Sequence, residues 1–466
     1  MMLCSAIFCT GVLLETIRSG SIAVFYLGRV ICGLGIGGSA TIIPIYLGEM
    51  SPKDKRARLG SCYQFTFTIG IFVSYWVDYG VVKLVDASSS RQWQIPIALQ
   101  LIPGALMGLG MLTLPESARW LLFKSTTSTT TITNTTTKKE NTTVAWQSLT
   151  WIRASTNPPT QTEFTTLQTA LKTDLQARAT TRPTDLLTHK PNLHRLSLGC
   201  MLFLAQQSTG ATALAYFGPQ FFAMLVGPRA EMNLLLTGVF GGVKVVACFV
   251  FVVFVAERFG RRPLLISGAV FMSVCMVITA FMVKTHPPSS PSPSSPQSNT
   301  ITTPALLTTT LIYLTITAFN LSWGPLPWPC ISELFPPRIR DPGVAIGIAS
   351  QWLFNFLWSF STPYLMAGIG WATFLLFGVL DLVFAGLVGC YLVETRGRSL
   401  EEIEGLFEGV EYRTGQGQGV RQEEDGWKGS DEDEPLRHGG DILPRYSDTE
   451  HWFCTFTHVL PRGNCT

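Results

Sequence analysis

The sequence has few charged residues for its length. Of its 466 residues, 14% are charged and 47% are hydrophobic, whereas an ordinary soluble domain has about 25% charged residues. The basic residues occur in short clusters between apolar runs, and the net charge is only +3. This composition excludes an ordinary soluble domain, and the lack of a basic face argues against a nucleic-acid partner.

Clusters of reactive or metal-binding residues are also missing from the sequence. Nine of the 11 Cys residues fall inside or at the edge of apolar runs, two fall in the C-terminal tail, and none forms a CxxC pair. This pattern implies neither a zinc site nor a disulfide framework. No nucleophile with a nearby base and no set of metal ligands is apparent. The sequence therefore predicts a protein that is not an enzyme and that needs no metal or cofactor.

What the sequence does have is a series of long apolar runs. A helix needs about 20 apolar residues to cross the hydrocarbon core of a bilayer. The first run follows no basic residue, so it does not resemble a secretory signal. We therefore predict an all-α polytopic membrane protein with about ten spans, at residues 2–17, 22–48, 61–84, 94–115, 195–225, 232–256, 264–284, 304–330, 343–367 and 370–393.

The polar segments divide the chain into four predicted regions. Residues 1–115 form an N-terminal bundle of four spans, and 195–393 form a C-terminal bundle of six. Between them, 116–194 is a low-complexity connector that is expected to be flexible, because its Thr-rich core offers little apolar surface to bury. Residues 394–466 form a disordered tail. Lys and Arg collect in SPKDKRAR, ERFGRR and PPRIR, which predicts that these loops, the connector and the tail are cytoplasmic.

Short charged motifs recur at the ends of particular spans. The first half contains GRVICGLGIGGSATIIPIYLGEMSPKDKRAR and LPESARW, and the second contains ERFGRR, GPLPWPCISELFPPRIR and VETRGRSLEE. Over residues 20–405 these strings resemble the sugar porter family of the major facilitator superfamily. The resemblance implies two helical bundles that rock about a central site. Family members have twelve spans, with an RFGRR-type motif after the second span of each half. The first half here has no such copy, so the resemblance implies that two helices are absent.

The same resemblance implies a gate of charged residues at the cytoplasmic ends of the bundles. Carboxylate and guanidinium pairs suit such a gate, because they are directional and can still break. Departures from the family pattern at Ala57 and Val393 are expected to weaken the local geometry only. The predicted gate residues are Arg29, Glu49, Arg56, Glu116, Arg119, Glu257, Arg261, Glu333, Arg340 and Glu394.

Polar residues at bilayer depth predict the substrate site, because such residues are costly there without a use. Amide side chains offer both donors and acceptors to sugar hydroxyls, and an indole can stack on a pyranose ring. The family usually has Asn where this chain has Thr212, which puts ordinary hexose recognition in doubt. The predicted residues, which match substrate-lining positions of the family, are Gln64, Gln206, Gln207, Thr212, Tyr216, Trp328, Gln351 and Asn355.

Lys244 is added to the predicted substrate site on physical grounds. It precedes Glu257 by 13 residues, which places it about 20 Å from the cytoplasmic end of its helix. A central Lys costs about 2.5–3.5 kcal/mol on insertion scales. It therefore needs a polar cavity or an acidic partner, and Asp381 is the only acid at a comparable depth. The sequence leaves a structural pair and a cavity-facing cation equally open.

Together these features predict a multi-pass plasma-membrane transporter, acting as a monomer in the lipid bilayer. It would move a monosaccharide-like solute by alternating access, and cotransport of protons is implied only by the resemblance. One alternative is a permease for a cyclic hydroxy acid of the quinate type, which Lys244 would favour. A second alternative is a sugar sensor without transport activity, or an inactive truncated relative.

Overall fold

The computed structural model describes residues 1–17, 21–52, 55–86, 88–127, 135–180, 185–227, 230–287, 303–336 and 339–394, together with 407, 410–411 and 420–421. The helices are α1 (Met2–Thr16), α2 (Ile22–Met50), α3 (Arg56–Leu84), α4 (Arg91–Leu99), α5 (Leu101–Gly110), α6 (Ala118–Thr127), α7 (Thr135–Arg153), α8 (Pro158–Thr180), α9 (Asp185–Thr188), α10 (Lys190–Ser208), α11 (Ala211–Tyr216), α12 (Gly218–Val226), α13 (Ala230–Val250, continued by a π-helical turn at Phe251–Val255), α14 (Arg261–Thr285), α15 (Thr303–Leu321), α16 (Pro327–Leu334), α17 (Arg340–Ile369) and α18 (Ala372–Tyr391). Two short strands, β1 (Val410–Glu411) and β2 (Val420–Arg421), pair antiparallel.

All ten predicted spans coincide with helical segments. Eight helical stretches of the described chain are long and apolar enough to cross a membrane. Helix α1 is apolar but has only 15 residues. Two predicted spans are not single helices: 195–225 is divided into α10, α11 and α12, and 304–330 is divided between α15 and α16. The all-helical prediction is confirmed, and the differences concern where individual helices break.

Glycine and proline account for these breaks. Gly210 adopts φ +77° between α10 and α11, a conformation that costs glycine nothing but is unfavourable for other residues. A side chain there would also meet the ring of Phe377. Between α15 and α16, the segment SWGPLP contains Pro325 and Pro327, and proline cannot donate the backbone hydrogen bonds that a helix needs. Each break leaves backbone carbonyl groups without the N–H donors of a continuous helix.

The two halves differ in how they are packed. The helices α10 to α18 share one large core of fully buried side chains, including Phe203, Trp323 and Phe374. Helices α1, α2, α4 and α5 share a small cluster around Val12, Cys32 and Ile97, and α2 adds Ala40 to the large core. Helix α3 packs against α13 and so connects the halves.

The connector differs from the expectation that it is flexible. Helices α6, α7 and α8 pack together around a small core made of Leu121, Leu122, Ala145 and Leu171. Arg153 fastens this unit to α2 by donating to the Met50 carbonyl oxygen at 3.0 Å, and it pairs with Glu163 at 2.7 Å. The Thr-rich composition hid these apolar residues, which recur at helical spacing. The middle of the Thr-rich run, 128–134, lies outside the described residues.

Little of the predicted disordered tail is described. Within it, Phe407 lies 5.6 Å from the His194 ring, between ring centroids, and the Arg195 guanidinium lies 4.9 Å from the Phe407 ring centroid. Both contacts are at the start of α10. The described part of the tail therefore includes a contact with the helical bundle, and residues 422–466 lie outside the described residues.

Candidate functional site

Four side chains form a continuous hydrogen-bonded chain between α10, α11 and α17. We call Gln207, Thr212, Tyr216 and Asn355 the amide chain. The Gln207 Oε1 accepts from Thr212 Oγ1 at 2.6 Å and from Asn355 Nδ2 at 3.2 Å. The Tyr216 hydroxyl donates to Asn355 Oδ1 at 3.3 Å. All four were predicted from the sequence, and the structure brings them together.

The helix break at Gly210 creates this arrangement. Gln207 is on the last turn of α10, and Thr212 and Tyr216 are on the short helix α11. An unbroken helix would place residues five apart on different faces, yet the hydroxyl of Thr212 meets the amide of Gln207. The redirected chain therefore brings both ends of the break to one face of α17.

Gln206 is adjacent to Gln207, but it binds the backbone at the break between α15 and α16. Its Nε2 donates to the carbonyl oxygens of Trp323 and Gly324 at 2.9 and 3.0 Å. These carbonyls belong to the nonhelical segment between α15 and α16, where the missing helical donors must be replaced. The Gln206 Oε1 is buried and has no hydrogen-bond partner among the described residues. The Gln206 nitrogen thus satisfies two carbonyl groups of the break between α15 and α16, and its Oε1 remains available as an acceptor.

Two hydrogen bonds join the first half to the second at this level. Trp328 Nε1 in α16 donates to Gln64 Oε1 in α3 at 3.1 Å, and both residues are buried. The Tyr75 hydroxyl in α3 donates to the Ala215 carbonyl oxygen at 2.5 Å. The sequence predicted Gln64 and Trp328 but missed Tyr75, since a half-buried Tyr in an apolar helix is not distinctive. Both halves therefore contact the region of the amide chain.

Helix α17 presents two more polar atoms that are buried without a partner in the described part of the chain, the Gln351 Oε1 and the Trp352 Nε1. They lie one helical turn before Asn355. An unpaired buried polar group costs about 1–3 kcal/mol. These atoms are therefore available to a solute that has both donors and acceptors.

Lys244 and Asp381 do not pair. Lys244 is 4% exposed in α13, and its Nζ lies 5.9 Å from the Phe240 ring centroid. Asp381 is fully buried in α18, and both its carboxylate oxygens lack hydrogen-bond partners among the described residues. Helix α13 packs mainly on α3, α12 and α15, whereas α18 packs mainly on α14. The structural pair that the sequence left open is absent, because other helices separate the two residues.

Charged side chains gather at the ends of α2, α14, α16 and α17, which we call the charged end. In the second half, Arg261 Nη2 pairs with Glu333 Oε1 at 3.1 Å. Glu394 accepts the backbone N–H groups of Arg261 and Arg262, each at 3.0 Å, and so caps the start of α14. Gly260 makes room for this carboxylate. Three predicted gate residues of the second half are therefore joined.

The first half contributes Glu49 to the same end. Its Oε2 accepts from Ser117 Oγ at 2.5 Å. The charges of Arg119, from α6 of the connector, and of Arg340 and Asp341, from α17, act on the Glu49 carboxylate. Arg340 also donates to the Phe335 carbonyl oxygen at 3.3 Å. Glu49 and Arg340 are thus the predicted gate residues that relate one half to the other.

The remaining predicted gate residues divide into three cases. Arg29 is corrected: it precedes Glu49 by 20 residues, about 30 Å along α2, and it pairs with the buried Glu15 at 3.3 Å near the opposite end. The side chain of Arg56 lies outside the described residues. Glu257 follows the π-helical turn after α13 and interacts with other residues there. The Glu116 carbonyl oxygen accepts from Ser148 Oγ at 2.6 Å.

Comparison with known proteins places this architecture. The family model described as "Sugar (and other) transporter" matches residues 1–407. The quinate permease of Emericella nidulans is 33% identical over 410 residues, which are 85% of this chain and 72% of the permease. A probable quinate permease of Aspergillus terreus is 34% identical over 405 residues, 85% of this chain and 70% of that protein.

The chain belongs to the sugar transporter family. It is a multi-pass membrane protein and a transmembrane transporter of a sugar-like solute, as the sequence predicted. The major facilitator fold is confirmed by the proton:xylose symporter XylE bound to 6-bromo-6-deoxy-D-glucose, with a TM-score of 0.71, 24% identity and coverage of 87% of this chain and 82% of XylE. Inward-open XylE from E. coli gives a TM-score of 0.61 at 23% identity, covering 87% of this chain and 81% of XylE.

Proposed function

We propose that this family member carries a polyhydroxylated ring of monosaccharide size across the membrane by alternating access. The observation that supports the proposal most strongly is the amide chain, whose hydrogen bonds link α10, α11 and α17. Each bond joins neutral groups that can exchange a protein partner for a solute hydroxyl at little net cost. The unpaired Gln206 and Gln351 oxygens would accept from further hydroxyls.

The Trp328 indole would form one wall of this site. It contacts Tyr63 of α3 and Phe203 of α10, with ring centroids 4.7 and 5.4 Å apart. A solute that reached Trp328 and Gln64 would meet both halves at once. Its binding would therefore affect how the halves are joined, which alternating access requires.

Glu15 supports the inclusion of proton cotransport in the proposal. The side chain is fully buried, and the Arg29 with which it pairs is half-exposed. Acidic residues buried in membrane helices are costly there, and they commonly mark the pathways of ions or protons. Uptake by Glu15→Gln should then lose its dependence on a proton gradient, whereas unchanged dependence would remove Glu15 from this role. A plasma-membrane location and a monomeric state remain parts of the proposal and are consistent with solute uptake.

Binding and uptake by purified and cell-expressed protein test the proposal. Gln207→Ala should weaken solute binding by roughly 10-fold or more, since it removes the acceptor shared by Thr212 and Asn355. Gln220→Ala is the matched control, because Gln220 is exposed on α12 of the same broken span. Equal binding by both variants and the parent protein, for every sugar or polyol that the parent transports, would overturn the proposed site.

A further inference from the structure

Lys244 is the residue of the second half that the proposed site does not yet explain. It is the only charged residue in α13 after Glu231, and it is 4% exposed. No carboxylate of the described chain forms an ion pair with its ammonium group. The nearby Phe240 ring, at 5.9 Å, offers a weak attraction that does not replace a counter-charge.

The neighbours of α13 indicate which region Lys244 faces. Phe240, one turn before Lys244, packs against Phe222 of α12 with ring centroids 6.4 Å apart. Thr237 lies against Gly218, at the junction of α11 and α12. Both contacts are with the broken span that carries the amide chain. The face of α13 that bears Lys244 is therefore directed toward that span, away from the exposed Val239 and Val246.

Tyr75 connects this face to the amide chain. Its ring lies against Gly241, three residues before Lys244. Its hydroxyl donates to the Ala215 carbonyl oxygen, next to Tyr216. Lys244 and the amide chain are consequently linked through α3, which contacts α13 at Gly241 and α11 at Ala215.

We infer that Lys244 recognises a carboxylate of the transported solute, so that the solute is a ring-shaped hydroxy acid rather than a neutral sugar. The inference rests on the proposed function, because the ring hydroxyls must bind the amide chain while the carboxylate meets the ammonium. A solute anion would supply the counter-charge that the described protein residues do not. Charge-assisted hydrogen bonds are about twice as strong as neutral ones, so the carboxylate would determine selectivity.

The test compares three ligands on the parent protein: quinate, its uncharged methyl ester, and D-glucose. We expect the parent protein to bind quinate roughly 10- to 100-fold more tightly than the ester, as for a hydrogen bond to a charged group. Lys244→Met should reduce this ratio to about one while leaving ester binding within a few fold. Lys244→Arg should keep most of the preference. Lys284→Met is the control, because Lys284 lies over the Trp371 ring at the end of α14.

The outcomes separate this inference from the proposed function. Equal binding of quinate and ester by the parent protein would overturn the role of Lys244, even if both bind, and this comparison needs no variant. Binding of D-glucose in preference to both would also overturn it while leaving polyol transport intact. If Gln207→Ala leaves binding of every ligand unchanged, the proposed site itself fails.

Discussion

The two halves of this transporter differ in packing and in the number of candidate-site residues that they carry. Helices α10 to α18 include two broken spans, bury a large aromatic core, and carry the amide chain. Helices α1 to α5 bury few side chains and contribute Gln64 and Tyr75 to the region of the site. From this comparison we expect the second half to behave as a rigid body that carries the candidate site, and the first half to move against it.

The largest expected effect is a loss of stability that tests how closely the second half is packed. Phe374 is fully buried and packs against Phe221 with ring centroids 5.3 Å apart. Phe374→Ala should destabilise the folded protein by about 3–5 kcal/mol, because it leaves a cavity in a close-packed core. Phe67→Ala is the matched change in the first half, where the side chain is 48% exposed. Phe67→Ala should change the free energy of unfolding by no more than about 0.5 kcal/mol.

Thermal unfolding of both variants in the same detergent measures this difference. A low melting temperature for Phe374→Ala alone would support the unequal packing of the halves. Similar losses for the two variants would show that the first half is as tightly packed as the second.

A smaller effect is expected at the charged end, where Arg340 acts on Glu49 across the halves. Arg340→Ala should favour the state that is open at this end by about 1–3 kcal/mol, the size of a typical coupling energy. Uptake should fall while solute binding is largely retained. Accessibility of a cysteine introduced at Ser332 to a polar thiol reagent measures the shift.

Arg153→Ala provides the control for that experiment. Arg153 bonds to Met50 of α2 and to Glu163 of the connector, neither of which belongs to the second half, so its loss should leave the accessibility of position 332 unchanged. Equal increases in both variants would mean that the charged end opens through general loosening rather than through loss of the attraction between Arg340 and Glu49.

The smallest effect distinguishes two tyrosines that each donate to a carbonyl oxygen. Tyr75 bonds across the halves to Ala215, whereas Tyr313 bonds within the second half to Leu236 at 3.0 Å. Each Tyr→Phe change should remove about 1 kcal/mol of hydrogen-bond energy. Tyr313→Phe should lower thermal stability and preserve the uptake rate. Tyr75→Phe should change the uptake rate with little effect on stability, and the reverse pattern would contradict the division of roles.

The sequence was sufficient to predict the helices and most residues that the structure brings together in the candidate site, because apolar length and paired amide side chains are local properties. The partners of these residues were not predictable. Lys244 and Asp381 lie at similar depth, yet the packing of α13 and α18 on different helices separates them. Gln206 and Gln207 are adjacent, but the breaks in α10 and α15 give them different partners.

Two other errors arose because motif and composition were considered without the position of each residue along its helix. Arg29 belongs to a motif that ends at Glu49, but the length of α2 places the two residues at opposite ends. The Thr-rich composition of the connector obscured the helical spacing of Leu121, Leu122 and Leu171, which form a small core. Glu15 is an acidic residue inside the first apolar run, so the search for charged residues at bilayer depth should have included it.

The most direct test of alternating motion about a rigid second half is a pair of distance measurements by electron paramagnetic resonance. One pair of labels at Leu59 and Ile346 reports on the charged end, and a second at Leu84 and Ile369 reports on the opposite end, all four residues being exposed. We expect saturating solute to change the two distances in opposite directions, while a third pair within the second half, at Val274 and Leu382, stays constant. Parallel changes at both ends, or a change within the second half, would contradict the account.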